Sequence, residues 1–416
     1  MKRLTSTIIT LLAAATTAAA QGLSVQYKSY ERIPYVSNPI DTATQCLSIY
    51  EPQDAKPDAP ILLKTYTTDF RSTTPQPPSA NDETALALKN GIVVCIVGTR
   101  GYNTMKISTT EKINKKKKKK KNKNITVDTD VAYCGKLPAP LIDLKAAVRY
   151  LRLNDNTLPG SSEKIIATGS MAGGGLAALL GATADDPIYA PLLTAAGAAD
   201  ASDLVYAVAC IEPLTNPMNA ASSGEWLTDY KGDYPQYIDF LAMLVPETET
   251  PLNSNNYHKY LKEILYNSTR TNLDNGTEIP DELGAVYFGD SNDSDIAQYL
   301  VDFNIGTYLQ YIKSNAYKTG YRHYFTTLSA KLFGEKTADE YSLALRQMDI
   351  ARGLSRTSQP VAQKWYIRHN ATDTAIPLTE SVTLATMLEN LGQDLDFDIQ
   401  WEPAKASELV KWILKN

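Results

Sequence analysis

The stretch of this chain whose residue types and spacing could do chemistry is Ile165-Ile166-Ala167-Thr168-Gly169-Ser170-Met171-Ala172-Gly173-Gly174-Gly175-Leu176. An apolar run, a glycine-framed turn and a small-residue segment predict a buried strand, a hard turn and a helix. This is the layout in which G-x-S-x-G holds a nucleophilic serine at a strained strand-to-helix turn. In the frame Gly169 to Gly173 the nucleophile position is Met171, a thioether that cannot be usefully acylated. Ser170 is adjacent, but an elbow thrusts a single residue into the site, and a misplacement of about 1 Å already costs about 10²-fold in rate. Such chemistry also needs a histidine to carry the proton and an acid to orient it. The chain has only three histidines, His258, His323 and His369.

The elements that must position this turn are legible from periodicity. Short strands are expected at 23–30, 46–50, 60–64, 91–98, 164–169, 204–211, 361–368 and 395–401. Helices are expected at 81–90, 138–154, 173–183, 378–391 and 407–414. In the helix over 138–154, Leu144, Ala147, Val148 and Leu151 share one face. Strands alternating with helices of this length predict an α/β architecture, a mostly parallel sheet with helices on both faces. Residues 216–358 break the alternation. They are polar, helical in pattern and hold 14 of the 25 tyrosines, which predicts a large, mainly helical lid inserted between a core at 21–215 and its second part at 359–416.

Composition narrows the function. The net charge is −5, yet nine lysines lie between Lys112 and Lys123, so the rest of the chain sums to −14. An acidic body argues against a nucleic-acid partner. So dense a lysine run predicts a solvated surface insertion over 112–124. Lys2 and Arg3, the apolar stretch from Ile8, and Ala18-Ala19-Ala20 before Gln21 have the form of an export signal over residues 1–20. The product is therefore expected to be secreted, extracellular or periplasmic. No other window approaches a membrane span. Cys46, Cys95, Cys134 and Cys210 form neither a C-x-x-C pair nor a disulfide framework; buried free thiols are expected, with no metal and no cofactor.

Longer motifs carry a resemblance. Gly135 to Pro140, Asp143 to Arg152, Pro159-Gly160, Glu163 to Ile166 with the elbow, Gly197 to Asp203, and Trp365 to His369 together resemble the tannase and feruloyl-esterase-like branch of the α/β-hydrolases over most of the chain after residue 40. The resemblance implies hydrolysis of carboxylic esters, often of phenolic acids on sugars, by a Ser-Asp/Glu-His triad. Transferred to this chain, it puts Met171 at the nucleophile and Asp373 at the acid. The histidine belongs between the last strand and the closing helix, where the chain reads Trp401 to Glu408 without one. The oxyanion loop falls on Tyr66-Thr67-Thr68-Asp69, and the N–H of Ala172 is the remaining donor, so Thr67, Thr68 and Ala172 are the oxyanion or binding candidates. Three readings follow. One is a catalytically impaired secreted relative that binds a phenolic ester, a plant cell-wall glycan or a partner. Another is an active carboxylesterase rearranged around Ser170, His369 and Asp373. The third is an adhesion protein acting through the lid or the lysine run.

Overall fold

The computed structural model describes residues 16–18, 25–80, 82–113, 125–229, 257–277, 279–288, 299–316, 320–334, 336–356 and 358–416. In chain order the elements are β1 (Thr16–Ala18), β2 (Tyr27–Pro34), β3 (Cys46–Pro52), β4 (Ile61–Lys64), α1 (Glu83–Lys89), β5 (Val93–Val97), β6 (Met105–Ile113), β7 (Ile125–Tyr133), α2 (Ala139–Leu153), β8 (Ile165–Ser170), α3 (Ala172–Ala182), α4 (Ala190–Ala196) and β9 (Ala207–Ile211). The lid segment contributes α5 (Ala220–Asp229), α6 (Tyr257–Asp274), β10 (Ala285–Phe288), β11 (Tyr299–Phe303), α7 (Ile305–Asn315), α8 (Gly320–Phe333), α9 (Ala338–Gln347) and α10 (Ile350–Leu354). The chain then closes with β12 (Lys364–Asn370), α11 (Leu378–Asn390), β13 (Asp394–Gln400) and α12 (Ala406–Lys415).

Nine strands form one sheet in the order β1-β2-β3-β5-β4-β8-β9-β12-β13. The pairs from β1 to β5 are antiparallel, and those from β5 through β13 are parallel. The central strands are buried along nearly their whole length, as parallel strands covered on both faces must be. On one face Leu62, Val94, Ile166 and Ala209 pack under Leu88 of α1 and Leu409, Val410 and Ile413 of α12. On the other, Leu63, Cys95, Ala167 and Val208 pack under α2, α3 and part of the lid. Cys46, Cys95 and Cys210 are buried free thiols, and Cys134 is free and half-buried.

The charged residues of α2 fasten it to its neighbours. Arg100 Nε and Nη2 donate to Asp143 at 3.0–3.1 and 2.8 Å, and Gln45 Nε2 donates to the same carboxylate at 3.0 Å. Lys145, fully buried, donates to Asp203 at 2.8 Å and to the Thr183 carbonyl at 2.6 Å, and Arg149 donates to the second Asp203 oxygen at 2.8 Å. Buried charges persist only when paired in this way.

Two hairpins depart from the sequence expectation. β6 and β7 pair in register from Met105↔Tyr133 to Ile113↔Ile125, so the lysine-rich stretch lies between the arms of a β-ribbon. Residues 114–124 lie outside the described residues, as does most of the signal-like segment. The lid is mainly helical but contains the β10–β11 ribbon, whose short arms offer too few residues for a period to register.

The lid joins two cores. Phe325, Leu328, Leu332, Phe333 and Met348 share a cluster with Tyr189 and Leu180 of the hydrolase-like body. Tyr257, Leu261, Leu265 and Tyr308 share another with Leu378, Val382, Ile399 and Trp401.

Close approach at Gly175 seats α3 against the loop after β9. A Cβ there would lie 1.9 Å from the Leu214 carbonyl oxygen. Replacing Gly175 with alanine is therefore expected to lower unfolding free energy by about 1–3 kcal/mol, read as a shift of the urea midpoint; an unchanged midpoint would show that the loop yields freely.

Candidate functional site

Met171 sits at the apex between β8 and α3 with φ 53° and ψ −120°. A non-glycine residue in that region costs on the order of 1–3 kcal/mol and persists only where its surroundings impose it. Three backbone bonds impose it here. The Met171 N–H donates to the Ile211 carbonyl at 3.0 Å, and its own carbonyl accepts from Gly175 and Leu214, both at 2.9 Å. The backbone of a nucleophile elbow is therefore complete around a side chain that is no nucleophile, and that side chain packs half-buried against the main core.

Ser170 is exposed at the end of β8. Its register runs to Ile211 and on to Arg368, so these three residues share one face of the sheet. His369, the next residue, faces the other side. Its Nδ1 lies 2.8 Å from Ser381 Oγ on α11, and the ring is 1% exposed. Burial pushes its pKa down to about 3, so it is neutral and a weak base at neutral pH. Two strand spacings, about 10 Å, also separate the backbones of Ser170 and Arg368. The fold does not bring Ser170 and His369 together.

Asp373 follows β12 and uses both oxygens on its own loop, accepting from Ala375 N–H at 2.7 Å and Ile376 N–H at 3.0 Å. Burial raises its pKa. Its electrostatic neighbour is Glu212, a residue that sequence reasoning passed over. Glu212 immediately follows β9 at φ 48°, and its N–H donates to the Arg368 carbonyl at 2.8 Å. Burial first, and then the Asp373 charge, push the Glu212 carboxyl up to about 7. The only signal for it was its position, the first residue beyond a buried parallel strand, where ligand-facing groups gather. The site thus pairs two carboxyls at the ends of β9 and β12.

The oxyanion side is also altered. An oxyanion hole presents N–H donors to developing negative charge. Here the Thr67 carbonyl accepts from Gly173 N–H at 2.8 Å and the Thr68 carbonyl accepts from Ala172 N–H at 3.3 Å. The Ala172 donor expected from the motif is therefore engaged by the loop that was to complete the hole. Thr67 Oγ1 donates to the Arg71 carbonyl at 3.0 Å. Asp69 is held by Arg71 at 3.1 Å, and Arg71 Nε also donates to Tyr102 OH at 2.8 Å.

The connection from β13 to α12 is Trp401 to Lys405. Trp401 is buried in the second core, and Glu402 pairs with Lys405 at 3.1 Å; the connection itself carries no histidine. His323 is exposed on α8. His258 belongs to α6, but its side chain lies outside the described residues. Among the described residues no cluster of three or more His, Cys, Asp or Glu could hold a metal.

A second group missed by sequence supports the elbow from below. Glu380 Oε2 accepts from Thr215 N–H at 3.1 Å, Thr215 Oγ1 at 2.8 Å and Asn216 N–H at 2.9 Å. It fastens the loop whose Leu214 N–H grips Met171. Burial pushes the Glu380 carboxyl up to about 7.

Sheet order, parallel core, elbow and inserted lid together define an α/β-hydrolase fold. Within that fold the chain is tannase- and feruloyl-esterase-like. A family profile described as BD-FAE matches residues 81–209. The native tannin acyl hydrolase from Lactobacillus plantarum superposes with a TM-score of 0.76 at 23% identity, covering 96% of each chain. A tannase from Fusobacterium nucleatum gives 0.71 at 24% identity, covering 96% of this chain and 97% of that one. A tannin acyl hydrolase in complex with ethyl gallate gives 0.73 at 23% identity, again over 96% of both chains. No curated protein sequence matches the chain.

Two measurements test this electrostatic description. The His369 ring nitrogens are expected to keep neutral-imidazole ¹⁵N shifts at pH 5, and a titration midpoint near 6.5 would place the ring in water. Glu212 has a folded pKa of about 7 against 4.5 for the free side chain. Its contribution to stability is thus present below pH 4.5 and lost as pH rises through 7. Glu212→Gln should gain on the wild type between pH 5 and pH 8, by at most roughly 3 kcal/mol. Parallel melting curves for the two proteins would contradict this.

Proposed function

We propose that this chain is a secreted α/β-hydrolase-fold protein that has kept the frame of a carboxylic-ester hydrolase without triad catalysis and that acts by binding. The observation that carries the reading is Met171 at the strained apex, with the three backbone bonds that hold a nucleophile in place. Engagement of Ala172 N–H by Thr68, placement of His369 on the opposite face from Ser170, and a β13–α12 connection without histidine support the same conclusion. Residues 1–20 support export through their charge and hydropathy pattern, and among the described residues no helix is long and apolar enough to cross a membrane. A phenolic ester, free or on a plant cell-wall glycan, is the ligand class supported by the similarity to a fold-mate crystallised with ethyl gallate. Met171 would then present its polarisable thioether to an aromatic ring.

The test uses a fluorophosphonate label together with methyl gallate, methyl ferulate and p-nitrophenyl acetate. Wild type should neither label nor show saturable turnover, leaving at most the residual of about 10³–10⁴ over water that binding alone can supply. Met171→Ser should remain unlabelled, because among the described residues no imidazole is placed to take the proton. Wild-type turnover that disappears in Ser170→Ala would overturn the proposal in favour of a rearranged esterase.

A further inference from the structure

The chain has two Asn-Gly pairs, and both close helices: Asn90-Gly91 after α1 and Asn275-Gly276 after α6. Their backbones match. Both glycines are left-handed, at φ 77° and 85°, a conformation that glycine adopts without steric cost. Gly91 N–H donates to the Leu88 carbonyl at 3.2 Å, and Ile92 N–H donates to the Ala87 carbonyl at 3.0 Å. Gly276 N–H donates to the Leu273 carbonyl and Thr277 N–H to the Asn272 carbonyl, both at 2.9 Å. Each set is the bond pair of a Schellman cap.

The side chains and their settings differ. Both asparagines are exposed. Asn90 Nδ2 donates to the Leu86 carbonyl at 2.8 Å, a bond four residues back that ties the amide to its own helix. Ile92, two residues on, is fully buried and leads straight into β5, so this pair is held on both sides. The Asn275 amide makes no hydrogen bond among the described residues. It borders a cleft of about 340 Å³ that Asp398, Glu402 and Glu408 also line. The helix it ends is fastened to the edge of the sheet. Ser268 Oγ and, one turn later, Asn272 Nδ2 both donate to the Ile399 carbonyl of β13. Asn272 is therefore an anchor of α6 and, through its carbonyl, a member of the cap that Asn275 belongs to.

We propose that Asn275 is a site of spontaneous deamidation, that Asn90 is protected from it, and that the modification loosens the hold of α6 on the sheet edge. In the first step the Gly276 nitrogen attacks Asn275 Cγ. A Cγ–N bond forms, the Cγ–Nδ2 bond breaks, and ammonia leaves with the proton from the glycine nitrogen, closing a five-membered imide. Water then opens the imide at either carbonyl and leaves aspartate or an isoaspartyl link. Water is the only co-reactant. The rate follows how readily Cγ and the nitrogen reach attacking distance, so an amide tied to its helix reacts slowly and an untied one faster. The bond that the glycine N–H must release is longer at Gly91, so the advantage of Asn275 comes from its side chain and from the chain beyond it. The product carries a new carboxylate at the C-terminal end of α6, where the helix dipole disfavours negative charge. It also stands next to Asp274 and faces the three carboxyls of the cleft. The site is independent of the elbow, so it stands whether or not the chain hydrolyses esters.

The experiment is peptide mapping by mass spectrometry of the full chain held at pH 8 and 37 °C, with isoaspartate read by enzymatic methylation. The folded protein should convert Asn275 at least tenfold faster than Asn90. In urea, where both caps are lost, the two rates should converge. Asn275→Asp should melt below Asn275→Gln at low salt, and the gap should narrow as salt is raised. Equal rates at the two pairs in the folded protein, faster conversion of Asn90, or a rate difference that persists undiminished in urea would each overturn the proposal. So would an Asn275 that stays intact in the folded chain while it converts in urea, or equal melting of the Asp and Gln variants.

Discussion

The geometry of this molecule turns on one strained residue. Met171 holds a positive φ that an ordinary side chain avoids, and it does so because β9 and the loop after it grip its backbone from both sides. That grip depends on Leu214, which depends on Thr215 and Asn216, which in turn depend on the buried Glu380 of α11. The strain is therefore shared among β8, β9 and α11. None of this chain of support involves the side chain at the apex. A serine is needed for acyl transfer, but the turn itself asks only for a residue whose backbone can be held there. The geometry of the turn is therefore independent of whether its apex carries a nucleophile.

The N–H groups beside the elbow are met by the protein's own acceptors. Carbonyl oxygens of Thr67 and Thr68 face the N–H groups at the start of α3, so the turn is closed by the protein's own backbone. Glu212 and Asp373 are electrostatic neighbours, and burial raises both. Such a pair favours sharing or retaining a proton over orienting a base. The backbone bonds of the elbow are satisfied within the protein, beside two largely buried carboxyls.

Much of the fold was legible because the central strands are continuous apolar runs and their helices have clean periodicity. Val93–Val97, Ile165–Ser170 and Ala207–Ile211 fall where hydropathy placed them, with ends shifted by no more than three residues. The β6–β7 ribbon was not legible, since the lysine run between its arms dominates the composition and masks a weak Thr/Val alternation. At the site, Met171 in the framed position and the lack of a histidine from Trp401 to Glu408 could be read directly, because they are matters of residue identity. Glu212, Glu380 and the engagement of Ala172 N–H could not. Each depends on a contact across strands or helices far apart in sequence, and neither glutamate sits in a recognisable motif. The face of His369 follows from alternation along β12, but only once the register with β9 is known.

The two hydrophobic clusters that the lid shares with the body also bear on how anything reaches the interior. Phe325, Leu328 and Leu332 are bedded with the residues beneath α3, while Tyr257, Leu261 and Tyr308 are bedded against α11 and β13. A segment anchored in both cores cannot swing on a hinge without exposing one of them. The cost of any such opening is set by the apolar area that each anchor would return to water.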